Sequence, residues 1–265
     1  MIIGVFDSGV GGLTVLKELI RLNPGASYMY FGDTARLPYG SKSAETVAKY
    51  AVSAARYLRQ QGAEMLVIAC NTATALALNE IRAGVDVPVI GVVEPGADAA
   101  AHASKSRNVA VIATQATIGS HAYQRALAER GIAGHEKACP LLVPLVEEGW
   151  IEHPVTRQVA EIYLKEAFAN GAAGSDVLLL GCTHYPLLRS VLQSLVPTGV
   201  TIVDSAQSTA EAVASQWHGT QPVNNPKSAT QLKFFATDSV EKFCRLGQLF
   251  LGHPFGNVSH VDIET

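Results

Sequence analysis

Two segments of this chain are near-copies of each other, and each ends a buried strand on a cysteine. Residues 65–72 read MLVIACNT and residues 177–184 read VLLLGCTH. A continuous aliphatic run without polar alternation suits a parallel strand covered on both faces. Each run stops at a small residue, and a thiol and two hydrogen-bonding side chains follow. The likeness extends further. Cys70 and Cys182 stand 112 positions apart, and a new apolar run begins 19 residues after each, at Val89 and at Thr201. Upstream, the run from Ile2 to Asp7 resembles the run from Val109 to Thr114, and each leads through small residues into a helical pattern. Three matched pairs in one order favour two similar lobes.

Strand and helix patterns alternate throughout, which with the repeat predicts an α/β fold: two pseudo-symmetric lobes, each a mostly parallel sheet flanked by helices. The pattern predicts a second strand at 28–31, a helix over 43–61 stopped by Gly62, and a strand ending at Glu94. Further helices are expected at 97–103 and 155–170, a polar turn-rich stretch at 219–228, and one strand and one helix in 231–250. In open α/β sheets ligands sit beyond the carboxyl ends of the strands. Both thiols therefore point towards binding territory. Two matched thiols can approach one carbon from opposite sides, which suits taking a proton from one face and returning one to the other.

Composition excludes several classes. A net charge of −3 offers no basic footprint for nucleic acid and no polybasic surface for anionic lipid. No apolar run reaches the length of a membrane span, and the start lacks a basic leader, so neither a membrane nor a secretory route is expected. Four cysteines in 265 residues, with no Cys-x-x-Cys pair, imply reduced thiols in a cytoplasmic protein. The eight histidines show no spacing that sets two on one helical face, so no metal site is expected.

The loop Gly9–Val10–Gly11–Gly12 lacks the spacing of a dinucleotide fingerprint or a P-loop. It reads as a tight strand-to-helix turn whose N–H groups could also hold an anion. Asp7 and Ser8 sit at the strand end, where a base or a ligand contact belongs. Asn71 with Thr72, and Thr183 with His184, open the segments after their strands, either as helix caps or as ligand contacts. A lone cysteine after an aliphatic strand is ordinarily an inert core thiol. Cys139 and Cys244 take that reading, and the paired context sets Cys70 and Cys182 apart.

The stretches from Phe6 to Thr14, Gly32 to Arg36, Pro38 to Gly40, Ala69 to Thr74, Glu94 to Gly96 and Gly181 to Leu187 together resemble bacterial glutamate racemase, in order from residue 1 to about 217. The resemblance implies interconversion of L- and D-glutamate without a cofactor, supplying D-glutamate for peptidoglycan. It implies a discontinuous first lobe, 1–97 plus 207–265, around a second lobe at 98–206. By the same resemblance Cys70 and Cys182 are the acid/base thiols, Asp7 the carboxylate beside the first, and His184 the imidazole beside the second. Ser8, Tyr39, Gly40, Asn71, Thr72 and Thr183 match substrate-contacting positions. Glu147 resembles an acidic neighbour of Cys182, and Thr114 and Thr117 are candidates to read the side-chain carboxylate. The expected partners are glutamate and a second copy of the chain. Family members activated by a cell-wall precursor carry an N-terminal extension; the chain as given opens four residues before Val5, so that regulation is not expected.

The chemistry is consistent with this. A thiol near pKa ~8.5 is mostly protonated at neutral pH, so one cysteine must be a thiolate while its partner stays a thiol. Helix N-termini after both cysteines would favour thiolates, and Asp7 as an anion would favour the thiol. An aspartate or broader amino-acid racemase would differ in the pocket alone. A cysteine hydrolase would leave one thiol idle, and a non-catalytic two-lobed binding protein would tolerate loss of either. The expected cleft is lined by Asp7 and Asn71 from one lobe and by Thr183 and His184 from the other.

Overall fold

The computed structural model describes residues 1–169, 172–218, 231–252 and 256–263. Among these residues ten strands build two sheets: β1 (Ile2–Asp7), β2 (Ser27–Gly32), β3 (Met65–Ile68), β4 (Val89–Gly91), β5 (Asn108–Ala113), β6 (Ala133–Ala138), β7 (Val177–Gly181), β8 (Thr201–Asp204), β9 (Leu232–Ala236) and β10 (Val258–His260). The first sheet runs β10-β9-β2-β1-β3-β4 and the second β6-β5-β7-β8, with every pairing parallel. The order β2-β1-β3-β4 is repeated as β6-β5-β7-β8. The repeat legible in the chain is thus a repeat of topology.

The aliphatic runs of β3 and β7 lie on central strands, with Leu66, Val67, Ile68, Val177, Leu178 and Leu179 fully buried. Helices cover both faces, and an aliphatic side chain buried in this way contributes about 1.5–3 kcal/mol. The helix Leu13–Leu22 turns Leu13, Leu16 and Leu19 into the core. The helix Ala44–Gln60 is capped by the Ser43 hydroxyl, which accepts from the Thr46 amide, and it stops where Gly62 takes φ +100°. In each sheet the chain reverses its winding beside the central strand, between β1 and β3 and again between β5 and β7. Those are the switch points where open α/β sheets bind ligands.

Two expectations need correction, and two strands were not foreseen. The helix predicted from residue 97 begins earlier, at Val93, and runs to Ala103. Pro95 falls in its first turn, where a missing amide N–H costs no hydrogen bond. After Cys182 no α-helix follows directly; Tyr185–Leu188 forms a 3₁₀ turn that carries Pro186. Strand β6, unforeseen, reads AGHEKA and is an edge strand whose residues are exposed or half-buried. The short β10 was also missed, while the strand and helix expected in 231–250 appear as β9 and Val240–Leu251. The stretch 219–228 lies outside the described residues. No described helix is long and apolar enough to cross a membrane.

Candidate active site

The carboxyl ends of β1 and β3 face those of β5 and β7 across a cavity of about 310 Å³, a size suited to a small molecule. Its lining includes Ser8, Tyr39, Gly40, Cys70, Asn71 and Thr72 from the first-sheet side, and Thr114, Glu147, Cys182, Thr183 and His184 from the second. All four cysteines are free thiols. Cys70 and Cys182 share this cavity, whereas Cys139 and Cys244 are absent from its lining.

On the first side, Cys70 stands immediately before the helix Asn71–Gly84. Its sulfur accepts the Ala73 amide at 3.4 Å and lies 3.6 Å from the Ser8 hydroxyl. Burial, with the Asp7 carboxylate second, pushes this thiol up to about 12, although the Ala73 amide and Ser8 pull the other way. Asp7 is 1% exposed and does not line the cavity, contrary to expectation. The strand carries its side chain beneath the glycine turn, where Oδ2 accepts the Gly9 amide at 2.9 Å. Burial raises the Asp7 carboxyl, while His184 and the amides of Gly9 and Gly12 oppose the rise.

On the second side, His184 Nδ1 lies 3.9 Å from the Cys182 sulfur and His184 Nε2 lies 3.3 Å from Glu147 Oε1. Burial disfavours the imidazolium, yet Cys182 and Glu147 together push His184 up to about 10. Burial also disfavours the Glu147 carboxylate, but His184 and Lys242 outweigh it and hold the carboxyl below its ordinary value. The two thiols therefore sit in opposite electrostatic settings. Cys70 is kept as a thiol, and Cys182 lies against a cation. A histidine and a glutamate take the place of the α-helix terminus that the sequence had suggested after Cys182.

The rim is stitched across the cleft by hydrogen bonds. The hydroxyls of Thr72, Thr114 and Thr117 form a closed triangle with sides of 2.9, 3.1 and 2.9 Å. Thr117 is fully buried behind the lining, so Thr72 and Thr114 are the two corners that reach the cavity. The Thr183 hydroxyl approaches Asp7 Oδ1 at 3.5 Å, and the Thr14 hydroxyl donates to the Thr183 carbonyl at 3.2 Å. The hydroxyl of Tyr123 donates to Asn71 Oδ1 at 2.5 Å, which leaves the buried Asn71 Nδ2 as a donor without a protein partner. Among the described residues no group of three or more His, Cys, Asp or Glu side chains is placed to hold a metal ion.

Sequence reasoning missed Tyr123, Lys242 and the role of Asp33. Asp33 is fully buried and accepts from Arg36 Nη1 at 2.8 Å, the Tyr39 hydroxyl at 2.6 Å and the Thr237 hydroxyl at 2.9 Å. It ties the Tyr39–Gly40 wall of the cavity to the end of β9. An arginine three residues after a carboxylate in a loop was the available signal. Asp33→Asn should leave one of these donors unmatched and cost about 1–3 kcal/mol, read as a lower denaturation midpoint. An unchanged midpoint would mean that this carboxylate carries no such share of the fold.

A family model described as Asp/Glu/hydantoin racemase matches residues 3–213. The glutamate racemase of Koribacter versatilis is 60% identical, covering 99% of this chain and 97% of that protein. Among solved structures, glutamate racemase isoform RacE1 of Bacillus anthracis superimposes with a TM-score of 0.91 at 38% identity, covering 98% of this chain and 97% of that one. A Francisella tularensis glutamate racemase solved in complex with D-glutamate gives a TM-score of 0.90 at 34% identity, with the same coverage.

Proposed function

The chain belongs to the Asp/Glu/hydantoin racemase family and is an amino-acid racemase, and from that premise we propose that its substrate is glutamate. The reaction proposed is cofactor-independent inversion at the α-carbon by two thiols. One sulfur, as thiolate, removes the α-proton, and the other, as thiol, delivers a proton to the opposite face. The observation that carries this reading is the pair of free thiols lining one cavity from facing strand ends.

Their unequal surroundings support the division of labour. With burial and Asp7 raising the Cys70 thiol, and the His184–Glu147 pair standing against Cys182, the two sulfurs are proposed to serve as one acid and one base. A turnover reverses the two states, and the opposite enantiomer then meets the matching arrangement. The carbanion formed on the way needs its charge spread onto the α-carboxylate. Asn71 Nδ2 and the hydroxyls of Ser8, Thr72 and Thr183 are the donors proposed to receive it. Tyr39 and Gly40 would close the wall, and Thr114, backed by Thr117, would read the distal carboxylate. D-Glutamate made here would supply peptidoglycan. Of the lobe boundaries implied by the resemblance, 1–97 with 207–265 and 98–206, the return of the tail to the first lobe is supported by the pairing of β9 and β10 within the first sheet, while the break at 97 falls inside the helix Val93–Ala103. A homodimer completes the reading.

The test is polarimetric turnover of each glutamate enantiomer by the purified protein with nothing added. A pocket that hydrogen-bonds the distal carboxylate at one reach leaves polar groups unpaired around a shorter chain. Glutamate should exceed aspartate in kcat/KM by at least about a hundredfold. Comparable values would move the protein to a broader racemase class.

A further inference from the structure

Lys242 stands outside every group that the two-thiol chemistry uses and does not line the cavity, yet its ammonium, on the tail of the chain, pairs with a residue that does. It sits on the helix Val240–Leu251, between β9 and β10, and so extends from the first sheet. Its Nζ lies 3.3 Å from Glu147 Oε2, on the helix Leu142–Glu147. The other oxygen of Glu147 faces His184 Nε2 at 3.3 Å. The tail helix touches the same site a second time, where the Phe250 ring meets the His184 ring edge-on at 5.3 Å between centroids. Phe243, Leu246, Phe250 and Leu251 are buried and fix that helix against the core.

We propose that Lys242 is a positioning residue, which holds Glu147 and through it the His184 imidazole against the Cys182 sulfur, so that the tail helix keeps the partner of the second thiol in place. The inference rests on the racemase reading above. Its logic is that of a counter-ion chain. Glu147 must be ionised to stabilise the His184 imidazolium, and a cation on its outer oxygen makes it a stronger acid.

The surroundings leave few competitors for that role. In contact with Glu147 are His184 and Lys242, and Asp7 acts on it from beneath the cleft. On the helix Pro154–Ala167 packed against it, Arg157 donates to the Ser194 hydroxyl, and the Tyr163 hydroxyl accepts the Leu141 amide. On the turn Tyr185–Leu188, the Tyr185 hydroxyl donates to the Cys139 carbonyl.

The experiment measures racemisation against pH for wild type, Lys242→Met and Lys242→Arg, with circular dichroism to verify folding. Without the cation, Glu147 protonates at a higher pH, and His184 then loses its partner. The acidic limb of the kcat/KM profile should therefore move up by about half a pH unit in Lys242→Met, with turnover falling about two- to threefold on that limb and little at neutral pH. Lys242→Arg should restore both. Because the two enantiomers are equal in energy, kcat/KM must change equally in both directions. The α-deuterium isotope effect need not. It should rise for the enantiomer deprotonated by Cys182 and fall for its mirror image. In a Glu147→Gln background Lys242→Met should have no further effect. A wild type without racemase activity would overturn the functional reading and this inference with it. A racemising wild type beside a Lys242→Met enzyme with an unmoved acidic limb and unmoved isotope effects would overturn the inference alone.

Discussion

Cys70→Ser and Cys182→Ser should each abolish racemisation in both directions, with losses of about 10²–10⁴-fold or more. Under the proposed mechanism each turnover needs an acid on the face opposite the base, so neither thiol can substitute for the other. A serine hydroxyl in the same place keeps the shape and loses the acidity. Cys139→Ala and Cys244→Ala should leave turnover largely intact, since neither sulfur lines the cavity. Cys139 is fully buried, so its variant is best compared at a temperature well below its own melting point. Polarimetry from both enantiomers reads all four variants. A Cys182→Ser enzyme with full activity would end the two-thiol account.

Gly11→Ala should lower turnover about a hundredfold and also lower the melting temperature, the loss of turnover persisting at temperatures where the variant is fully folded. A Cβ at Gly11 would fall 2.2 Å from Thr183 Oγ1 and 2.5 Å from His184 Nδ1. Neither neighbour can step aside cheaply. Thr183 is held through its hydroxyl near Asp7 and through its carbonyl by Thr14. His184 is held by Glu147 on one side and Phe250 on another. The added methyl must therefore push the two halves of the cleft apart or tilt the imidazole away from the Cys182 sulfur. A misplacement near 1 Å at the chemistry costs on the order of 10²-fold. The strain falls between the two lobes rather than within either sheet, so the variant should still fold, with reduced stability. Thermal melts fix the temperature at which the variant is fully folded, turnover is compared there, and wild-type turnover in Gly11→Ala would show that the rim is looser than these contacts require.

Glycine at this point was visible in the sequence only as one of three in a turn. Its reason, a close approach to Thr183 and His184, 172 and 173 positions away, was not. The same division runs through the whole structure. The central strands β1, β3, β5 and β7 were legible because burial on both faces demands unbroken aliphatic runs. Strand β6 was not, since an edge strand half-open to solvent tolerates AGHEKA. It could have been inferred by extending the repeat, because it stands to β5 as β2 stands to β1. The two cysteines were legible from their position after matched strands. The polar links that hold the cleft were not: Tyr123 to Asn71, Lys242 to Glu147 and Asp33 to Thr237 join residues distant in sequence. Asp7, at a strand end and matched by the resemblance, and Thr117 were both expected at the cleft, but each is buried behind its lining.

The central claim is that two different groups handle the proton on the two faces. Its direct test is conversion of protiated L-glutamate in deuterium oxide, stopped at low conversion and analysed by mass spectrometry of each separated enantiomer. Thiols exchange with solvent, so the account predicts D-glutamate carrying deuterium at the α-carbon while the remaining L-glutamate is still protiated. The reverse experiment from D-glutamate should mirror it. D-Glutamate that retains the substrate's own protium would mean that a single group carries the proton from one face to the other, and would contradict the account.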